Sequence, residues 1–339
     1  MTPPELRRLL DHIPNVSLAI IGDFCLDAYL FFDPTASEIS LETGRPTHAV
    51  RCQKYSLGGA GNIAHNLVAM GGRQVFAFGV IGDDPFGAEM TRIFNTVGIE
   101  SSGLVAQASE WDTHVYVKPY EDDQEQNRID FGNFNLLAQE TRHRLLHQLE
   151  QMLPQLDVVI INQQVYRGIC TSELREQLQA LIRRYPAIPW IIDSRHYSNH
   201  VPGTIRKIND HEGAALCGMP RAPEEPISAQ EARTIAETLY GRWQKPLFLT
   251  RREHGCVVYD EAGYHAIPGL HIVAPMDPVG AGDSMLAGIA AALAAGRDPV
   301  TAAEFGNIVA GVTVQKLFET GTATPEEILA LGSQAVYRA

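Results

Sequence analysis

Short apolar runs alternate with longer helical segments along most of the chain. The runs 16–22, 75–82 and 157–162 have the composition of strands that are buried on both faces. Segments with helical periodicity lie between the later two, at 84–97 and 137–153. Further strands are predicted at 190–193, 204–208, 247–250 and 256–259, and further helices at 63–71, 172–185, 211–217, 229–243, 283–295, 299–316 and 325–331. Because parallel strands need crossover helices, this alternation predicts an α/β fold with a doubly wound, mainly parallel sheet flanked by helices.

Two stretches, 28–56 and 113–131, do not follow this alternation. They contain short extended segments in which apolar and polar residues alternate, a pattern typical of a small exposed sheet. We expect this sheet to be a lid over a site from which water must be excluded. A sheet with apolar residues on both faces also needs a cover, so we expect a homodimer through the lid. The sequence contains no linker, and residues 1–339 are expected to form one domain with this lid.

The charge of the chain limits the class of partner. Its 339 residues include 27 basic and 40 acidic ones, which give a formal net charge of −13. Such a surface repels nucleic acid and anionic membranes, and no basic run offsets it. No apolar run reaches transmembrane length and the N-terminus lacks the apolar core of a signal peptide, so we expect a cytoplasmic protein. The five cysteines are scattered and odd in number, which favours reduced thiols.

A glycine turn at the start of a helix carries the strongest chemical signal. Gly280, Ala281 and Gly282 follow a polar loop, and Asp283 then opens an apolar helix of small residues. Backbone N–H groups at a helix N-terminus favour an anion such as a phosphate. A carboxylate would repel a resting phosphate, so Asp283 is expected to take a proton from an attacking hydroxyl. An anion cradle with one base is the minimum for moving a phosphoryl group onto an alcohol, although a glycine loop followed by Asp also occurs without such a role.

The stretch from Asp277 to Asp283 resembles the Asp-x-x-Gly-Ala-Gly-Asp signature of the ribokinase-like (PfkB) carbohydrate kinases. The residues 58–62, Gly-Gly-Ala-Gly-Asn, resemble the N-terminal Gly-Gly-x-Gly-Asn signature of the same kinases. Taken alone, 58–62 would be an ordinary loop with a helix cap. The resemblance covers nearly the whole chain and implies a ribokinase-like fold, ATP and Mg²⁺ as cofactors, and phosphorylation of a sugar hydroxyl. It makes Asp283 the general base and the 280–282 turn the anion hole.

The resemblance also implies an acceptor site. In it, Asp27, Gly58, Gly59 and Asn62 would hold sugar hydroxyls, because carboxylate oxygens accept from hydroxyls and glycine allows close approach. Asp27 and Asp23 follow the first predicted strand, at the strand end where open α/β sheets bind ligands. Turn formation is the alternative for both. The loop after residue 162 is the other acceptor segment of the family, and Gln164 is the candidate there.

A second set of matches concerns the nucleotide and the metal. Asn209 and Glu212 resemble an Asn-x-x-Glu motif in which Asn lies near the nucleotide phosphates and Glu orders Mg²⁺ through water. A helix cap followed by a first-turn acid would look the same. Thr250 and Gly255 match a nucleotide turn, in which Arg252 replaces a glycine of the family and could reach a phosphate or face solvent.

Two further positions complete this part of the resemblance. Asn307 falls where the family lines its adenine pocket, although a solvent-facing helical Asn fits the sequence equally well. Asp277 matches a position of a structural monovalent cation, for instance K⁺.

Within the family, the chain resembles the branch that phosphorylates heptose 7-phosphate, and the resemblance is not expected to extend to that branch's nucleotidyltransferase half. The likeness is carried by the segments 22–29, 34–40, 128–131 and 193–195. It implies a sugar or sugar-phosphate acceptor, but Glu38 replaces a basic residue of that branch.

The candidate anchors for an acceptor phosphate are Arg45, Arg128 and Arg195, since guanidinium groups bind phosphate through paired hydrogen bonds. All three could equally be surface arginines, and Arg128 fits the branch's pattern best. A nucleoside kinase of the same fold is one alternative to a sugar kinase. A sugar-responsive binding protein without turnover is another, and the intact Asp283 argues against it.

Overall fold

The computed structural model describes residues 1–122, 124–317 and 320–337. The strands are β1 (Ser17–Gly22), β2 (Phe24–Phe32), β3 (Val50–Gly59), β4 (Gln74–Gly82), β5 (Glu100–Gln107), β6 (His114–Glu121), β7 (Gln124–Glu125), β8 (Ile129–Phe131), β9 (Val158–Gln163), β10 (Trp190–Ser194), β11 (Ile205–Asn209), β12 (Leu247–Thr250), β13 (Cys256–Asp260) and β14 (Gly263–Ile267). The helices are α1 (Pro3–His12), α2 (Ala60–Ala69), α3 (Pro85–Val97), α4 (Gln139–Met152), α5 (Ser172–Arg184), α6 (Asp210–Leu216), α7 (Ala229–Trp243), α8 (Ala281–Ala294), α9 (Pro299–Thr313) and α10 (Pro325–Ser333).

The larger sheet confirms the predicted α/β fold. Among the described residues it has nine strands in the order β14-β13-β12-β11-β10-β9-β1-β4-β5. The strands from β12 to β5 pair in parallel, and β13 and β14 continue the sheet as antiparallel strands at one edge. Parallel strands run in one direction, so the carboxyl ends of β1, β9, β10 and β11 lie together at one edge of the sheet, which is where a ligand site is expected.

Helices cover both faces of this sheet. In β1, Ile20 and Ile21 point to opposite faces and belong to different core clusters. The cluster of Ile20 includes apolar residues of α2, α8 and α9, whereas that of Ile21 includes residues of α4 and α5. Burial on both faces explains why every residue of β1 is buried. On the face that carries Ile20, α2 and α8 pack side by side.

A second, smaller sheet contains the strands β3, β2, β6 and β7 in that order, with β8 paired to β6. It begins earlier than the expected 28–56, because β2 starts at Phe24 and only one residue separates it from β1. Asp27 therefore lies inside a strand of the second sheet, and its interpretation as a residue in a turn is wrong. The alternative of an ordinary loop at 58–62 is also wrong, since β3 continues to Gly59 and α2 starts at Ala60. A positive φ of 55° at Gly59 permits this direct change from strand to helix.

Three elements were not predicted from the sequence: α1, β5 and β14. The helix α1 begins at a Pro and is stabilised by a capping box between Thr2 and Glu5. The strand β5 is an edge strand of mostly polar residues, and β14 is a short hairpin partner of β13. All five cysteines are free thiols, as expected. No described helix has both the length and the hydropathy needed to cross a bilayer.

Candidate active site

The glycine turn is the N-terminus of α8. Gly280 is the N-cap and has a left-handed backbone with φ of 77°. The N–H of Ala281 donates to the Pro278 carbonyl at 3.1 Å, so this donor stabilises the turn itself. Gly282 and Asp283 follow at the second and third helical positions, whose N–H groups have no partner within a helix. An anion at this helix end would therefore be bound by the N–H groups of Gly282 and Asp283.

The first turn of α2 contacts the first turn of α8. The side-chain amide of Asn62 donates to Oδ2 of Asp283 at 3.1 Å. A Cβ atom at Gly280 would lie 2.8 Å from Nδ2 of Asn62, so this contact requires glycine at that position. The contact brings together the two glycine-containing stretches of the sequence in one site.

The environment of Asp283 favours its protonated form. The pKa of this carboxyl is raised to about 6, chiefly by burial and also by the negative charge of Asp193. The Asn62 hydrogen bond and the positive charges of Lys207 and Arg195 act in the opposite direction on this pKa. A carboxylate with a pKa close to neutrality is suited to accept a proton and to release it again.

A buried ion pair lies beside the turn and was missed in the sequence. Nζ of Lys207 on β11 contacts Oδ2 of Asp193 on β10 at 2.8 Å. A Cβ at Gly282 would lie 3.1 Å from the same Nζ, so the ammonium group borders the anion turn. Burial lowers the pKa of Lys207, but Asp193, Asp283 and Glu212 together raise it above its ordinary value and keep the side chain charged. Two adjacent cations, Arg206 and Lys207, in a short predicted strand were the sequence feature that could have indicated this ion pair.

The predicted acceptor residues lie where the two sheets join. Asp27 is buried on β2, and a Cβ at Gly58 of the neighbouring β3 would lie 3.0 Å from its Oδ2. A Cβ at Gly59 would lie 3.8 Å from Cγ of Gln164, which places Gln164 against the same turn. Oδ1 of Asp27 accepts from Nζ of Lys118 at 2.8 Å, a partner that was not predicted. The structure thus brings Asp27, Gly58, Gly59 and Gln164 together, next to Asn62.

The three candidate arginine anchors differ in their surroundings. Arg128 binds both carboxylate oxygens of Asp130, at 2.6 and 2.7 Å, and its guanidinium lies 4.5 Å from the ring centre of Tyr116. Arg195 is exposed, and its positive charge lowers the pKa values of Asp283 and Glu212. Arg45 is exposed in the loop between β2 and β3.

Asn209 and Glu212 form a capping box at the start of α6. Oδ1 of Asn209 accepts from the Glu212 N–H at 2.8 Å, and Oε2 of Glu212 accepts from the Asn209 N–H at 2.9 Å. The capping interpretation of this motif is therefore confirmed. Burial and the negative charge of Asp193 raise the pKa of Glu212. The capping box uses Oε2 of Glu212 and leaves Oε1 outside it. Together with the negative charge of Asp193, this carboxylate could hold a hydrated Mg²⁺, which needs only one nearby carboxylate.

A cleft of about 530 Å³ lies beside the start of α8. Its lining is mostly apolar and includes Leu270, Ile272 and Val314 together with Ala281 at the turn. Asn307 also lines it, is only 8% exposed and donates to the Pro268 carbonyl at 2.9 Å, so the solvent-facing alternative for Asn307 is wrong. An apolar cleft that ends at a helix N-terminus fits a planar base with attached phosphates.

The nucleotide turn follows β12. Thr250 donates through Oγ1 to the Ile208 carbonyl at 3.3 Å, and Gly255 has a φ of 84°. Arg252 has a positive φ of 50°, and its guanidinium donates to the Pro223 carbonyl at 3.0 Å. This side chain is therefore held against the neighbouring loop.

Asp277 precedes the glycine turn and helps to shape it. Its Oδ1 accepts from the Val279 N–H at 3.0 Å, and its own N–H donates to the Val314 carbonyl at 2.8 Å. In the described part of the chain, no three His, Cys, Asp or Glu side chains converge as a metal-binding group. A cation here would therefore depend on backbone, phosphate and water oxygens as well as on carboxylates.

Comparison with known proteins identifies the relatives of this chain. The chain is 31% identical over 337 residues to the bifunctional protein HldE of Caulobacter sp. (strain K31), which covers 96% of this chain and 64% of that protein. It is 28% identical to HldE of Geobacter sulfurreducens, over 98% of this chain and 66% of that protein. The chain thus spans slightly less than two thirds of the length of these relatives.

The fold is also that of solved kinases. Arabidopsis thaliana ribokinase complexed with ribose and ATP superposes with a TM-score of 0.71 at 16% identity, covering 94% of this chain and 98% of the ribokinase. Escherichia coli phosphofructokinase-2 in complex with potassium gives a TM-score of 0.72 at 15% identity, with coverage of 94% and 98%. Residues 17–327 match the model of the pfkB family of carbohydrate kinases. The chain therefore belongs to the pfkB family of carbohydrate kinases.

Proposed function

We propose that this chain transfers the γ-phosphoryl group of ATP to a hydroxyl of a sugar or sugar phosphate, with Asp283 as the general base. The observation that carries the proposal is the hydrogen bond between Asn62 and Asp283, since it joins the acceptor segment to a base at an anion-binding helix end. The acceptor hydroxyl gives its proton to Asp283 while its oxygen bonds to the γ-phosphorus. The bond from the γ-phosphorus to the bridging oxygen breaks, and ADP leaves.

Two groups of this chain stabilise the charge that develops on the transferred group. The N–H groups of Gly282 and Asp283 point out of the start of α8, and the ammonium of Lys207 lies beside them. Asp193 holds that ammonium in place through the buried ion pair. Mg²⁺, held near Glu212 through water, would supply further positive charge to the phosphates.

The nucleotide is proposed to occupy the cleft beside α8. Its base would lie against the apolar lining near Asn307, and its phosphates would extend past Thr250 and Gly255 toward Asn209 and the glycine turn. A structural relative was solved with ribose and ATP, which supports ATP as the donor. Another was solved with potassium, which supports a monovalent cation near Asp277.

The acceptor is proposed to bind between Asp27, Gly58, Gly59, Asn62 and Gln164. The second sheet would act as the lid of a single kinase domain and close over this position, because β2 carries Asp27 and β6 carries Lys118. Lys118 and Arg128 place two cations on neighbouring parts of this sheet, and a phosphate on the acceptor would compete for them with their carboxylate partners, Asp27 and Asp130. This favours a sugar phosphate over an uncharged sugar.

The test is a comparison of heptose 7-phosphate, fructose 6-phosphate, ribose and nucleosides as acceptors, with ADP release as the readout. Arg128→Ala should raise the KM of a phosphorylated acceptor by at least about tenfold, the effect of losing one charge-assisted contact. Arg92→Ala is the matched control, because Arg92 forms a similar two-bond pair with Glu89 on the surface of α3. Turnover of uncharged acceptors alone, with no change in Arg128→Ala, would refute the phosphate site and leave the kinase proposal intact. Turnover of nucleosides alone would favour the nucleoside kinase.

We also propose that the lid pairs with the lid of a second copy. Its exposed apolar residues include Ile39, Leu41, Val50, Ile129 and Phe131. Several large apolar side chains exposed on one small sheet favour a cover in water. Light scattering at micromolar concentration should give the mass of a dimer, and a monomer under these conditions would count against the proposal.

A further inference from the structure

Asp23 lies where the chain leaves the large sheet and enters the second one. It is the single residue between β1 and β2, and only 1% of it is exposed. Its N–H donates to the Asn162 carbonyl at 3.1 Å, and its carbonyl accepts from the Ala60 N–H at 3.1 Å. Its backbone therefore links the end of β9 to the first residue of α2.

The side chain of Asp23 binds a third segment, the loop after β9. Oδ2 accepts from the N–H groups of Gln164 and Val165, both at 3.0 Å, and Oδ1 accepts from the N–H of Ile169 at 2.9 Å. A Cβ at Gly168 would lie 2.0 Å from Oδ1, so the loop is closed around the carboxylate. One buried carboxylate thus satisfies three backbone donors of a short loop, which leaves the loop few alternative conformations.

These contacts converge on the proposed acceptor site, although Asp23 itself does not line it. The loop it holds carries Gln164, α2 carries Asn62, and β2 carries Asp27 four residues after Asp23. We propose that Asp23 is a positioning residue for the acceptor, because its carboxylate fixes the Gln164 loop relative to Asp27 and Gly59. This inference rests on the proposed function, since it assigns the acceptor to that site.

The substitution Asp23→Asn tests the hydrogen bonds of the carboxylate with little change in shape. An amide has almost the same shape as the carboxylate, but only one of its two terminal atoms accepts hydrogen bonds. At least one of the three loop N–H groups would then face an NH₂ group and lose its partner. The loop should shift while the rest of the fold is retained.

The matched control is Asp157→Asn. Asp157 precedes β9 at the opposite end of the sheet, and its Oδ2 accepts from the Ser17 N–H at 2.8 Å. The substitution Asp157→Asn therefore removes a carboxylate that binds a backbone N–H of the same sheet, at the end of β9 opposite to the loop. A second test variant, Gly168→Ala, keeps the Asp23 carboxylate and displaces the loop by steric conflict.

The experiment measures steady-state kinetics with the acceptor that gives the best turnover, together with hydrogen exchange of the loop amides. Asp23→Asn and Gly168→Ala should each raise the acceptor KM by at least about tenfold, with the ATP KM and kcat within about threefold of wild type. The amides of Gln164, Val165 and Ile169 should lose protection in Asp23→Asn, and Asp157→Asn should change neither readout.

Equal increases in both KM values would overturn the proposal, because they would indicate a general structural role. Unchanged protection of the loop amides in Asp23→Asn would overturn it as well, even if no sugar proves to be an acceptor. The exchange readout thus separates a failure of this inference from a failure of the proposed function.

Discussion

The side-chain amide of Asn62 donates a 3.1 Å hydrogen bond to the carboxylate of Asp283, although 221 positions separate the two residues in sequence. Each residue lies in the first turn of its helix, Asn62 in α2 and Asp283 in α8. The two helices pack side by side on one face of the sheet, and the acceptor segment and the proposed base therefore form one site. The contact also orients the carboxylate beside the glycine turn, which we propose as the anion hole.

The pH dependence of turnover should report the ionisation of Asp283. The base accepts a proton only as a carboxylate, and its pKa is raised to about 6 chiefly by burial. We therefore expect kcat at saturating substrates to fall as the pH decreases through an apparent pKa near 6. The measurement is a kcat profile from pH 5 to 8 at fixed Mg²⁺.

Two charge variants identify the group that titrates. Lys207→Met removes a positive charge that lowers the pKa of Asp283, so the acid limb should move to higher pH. Asp193→Asn removes a negative charge that raises this pKa, so the limb should move to lower pH. A phosphate of the substrate also titrates at about 6. If the acid limb of the kcat profile stays at the same pH in both variants, the titrating group is the substrate phosphate and not Asp283.

The acceptor role of Asp27 predicts a selective kinetic defect. Asp27→Ala removes the buried carboxylate and leaves Lys118 without its partner, so the acceptor KM should rise by at least about tenfold while the ATP KM changes little. Ser56→Ala is the control, because Ser56 is opposite Asp27 on β3 and its buried hydroxyl has no hydrogen bond within the described residues. Parallel increases in both KM values in Asp27→Ala would show that Asp27 is only structural.

The conformation of Arg252 predicts that glycine at this position gives a more stable protein than alanine does. A non-glycine residue with a φ of 50° is strained by about 1 kcal/mol, and part of this is offset by the extra freedom of glycine in the unfolded chain. Arg252→Gly should therefore be more stable than Arg252→Ala by about 0.5 kcal/mol in urea unfolding. Arg252 borders the proposed nucleotide cleft, but its guanidinium is bound to the Pro223 carbonyl, so the ATP KM should stay within about twofold of wild type in both variants. A large rise in the ATP KM of both would instead assign Arg252 to the nucleotide.

Local sequence patterns were sufficient to predict the frame of the fold. Strands such as β1, β4 and β9 are almost continuous buried runs, and their bounds differ from the predicted ones by one residue at one end or, for β9, at both ends. The turn at Gly280 and the start of α8 were also predicted, because a glycine turn at a helix start is a local feature. The role of Asp283 as the base stays a prediction. The edge strand β5 was missed since its polar composition reflects exposure at the sheet edge.

Residues whose partners are distant in sequence could not be predicted in the same way. Lys207 meets Asp193 only because β10 and β11 pair in parallel, and Lys118 meets Asp27 only because β2 and β6 pair across the second sheet. The three donors around Asp23 depend on how the loop after β9 folds back onto β1. Register and loop closure, which set these contacts, are properties of the whole sheet.

The most direct test of the account is the turnover of Asp283→Asn. The substitution preserves the shape of the side chain and removes its ability to accept the proton, so kcat should fall by at least about 10²-fold. Binding of ATP, measured by calorimetry on the same preparation, should remain within about threefold of wild type, because the helix N–H groups and the cleft near Asn307 are unchanged. Turnover close to that of the wild type, with ATP still bound, would contradict the assignment of Asp283 as the base.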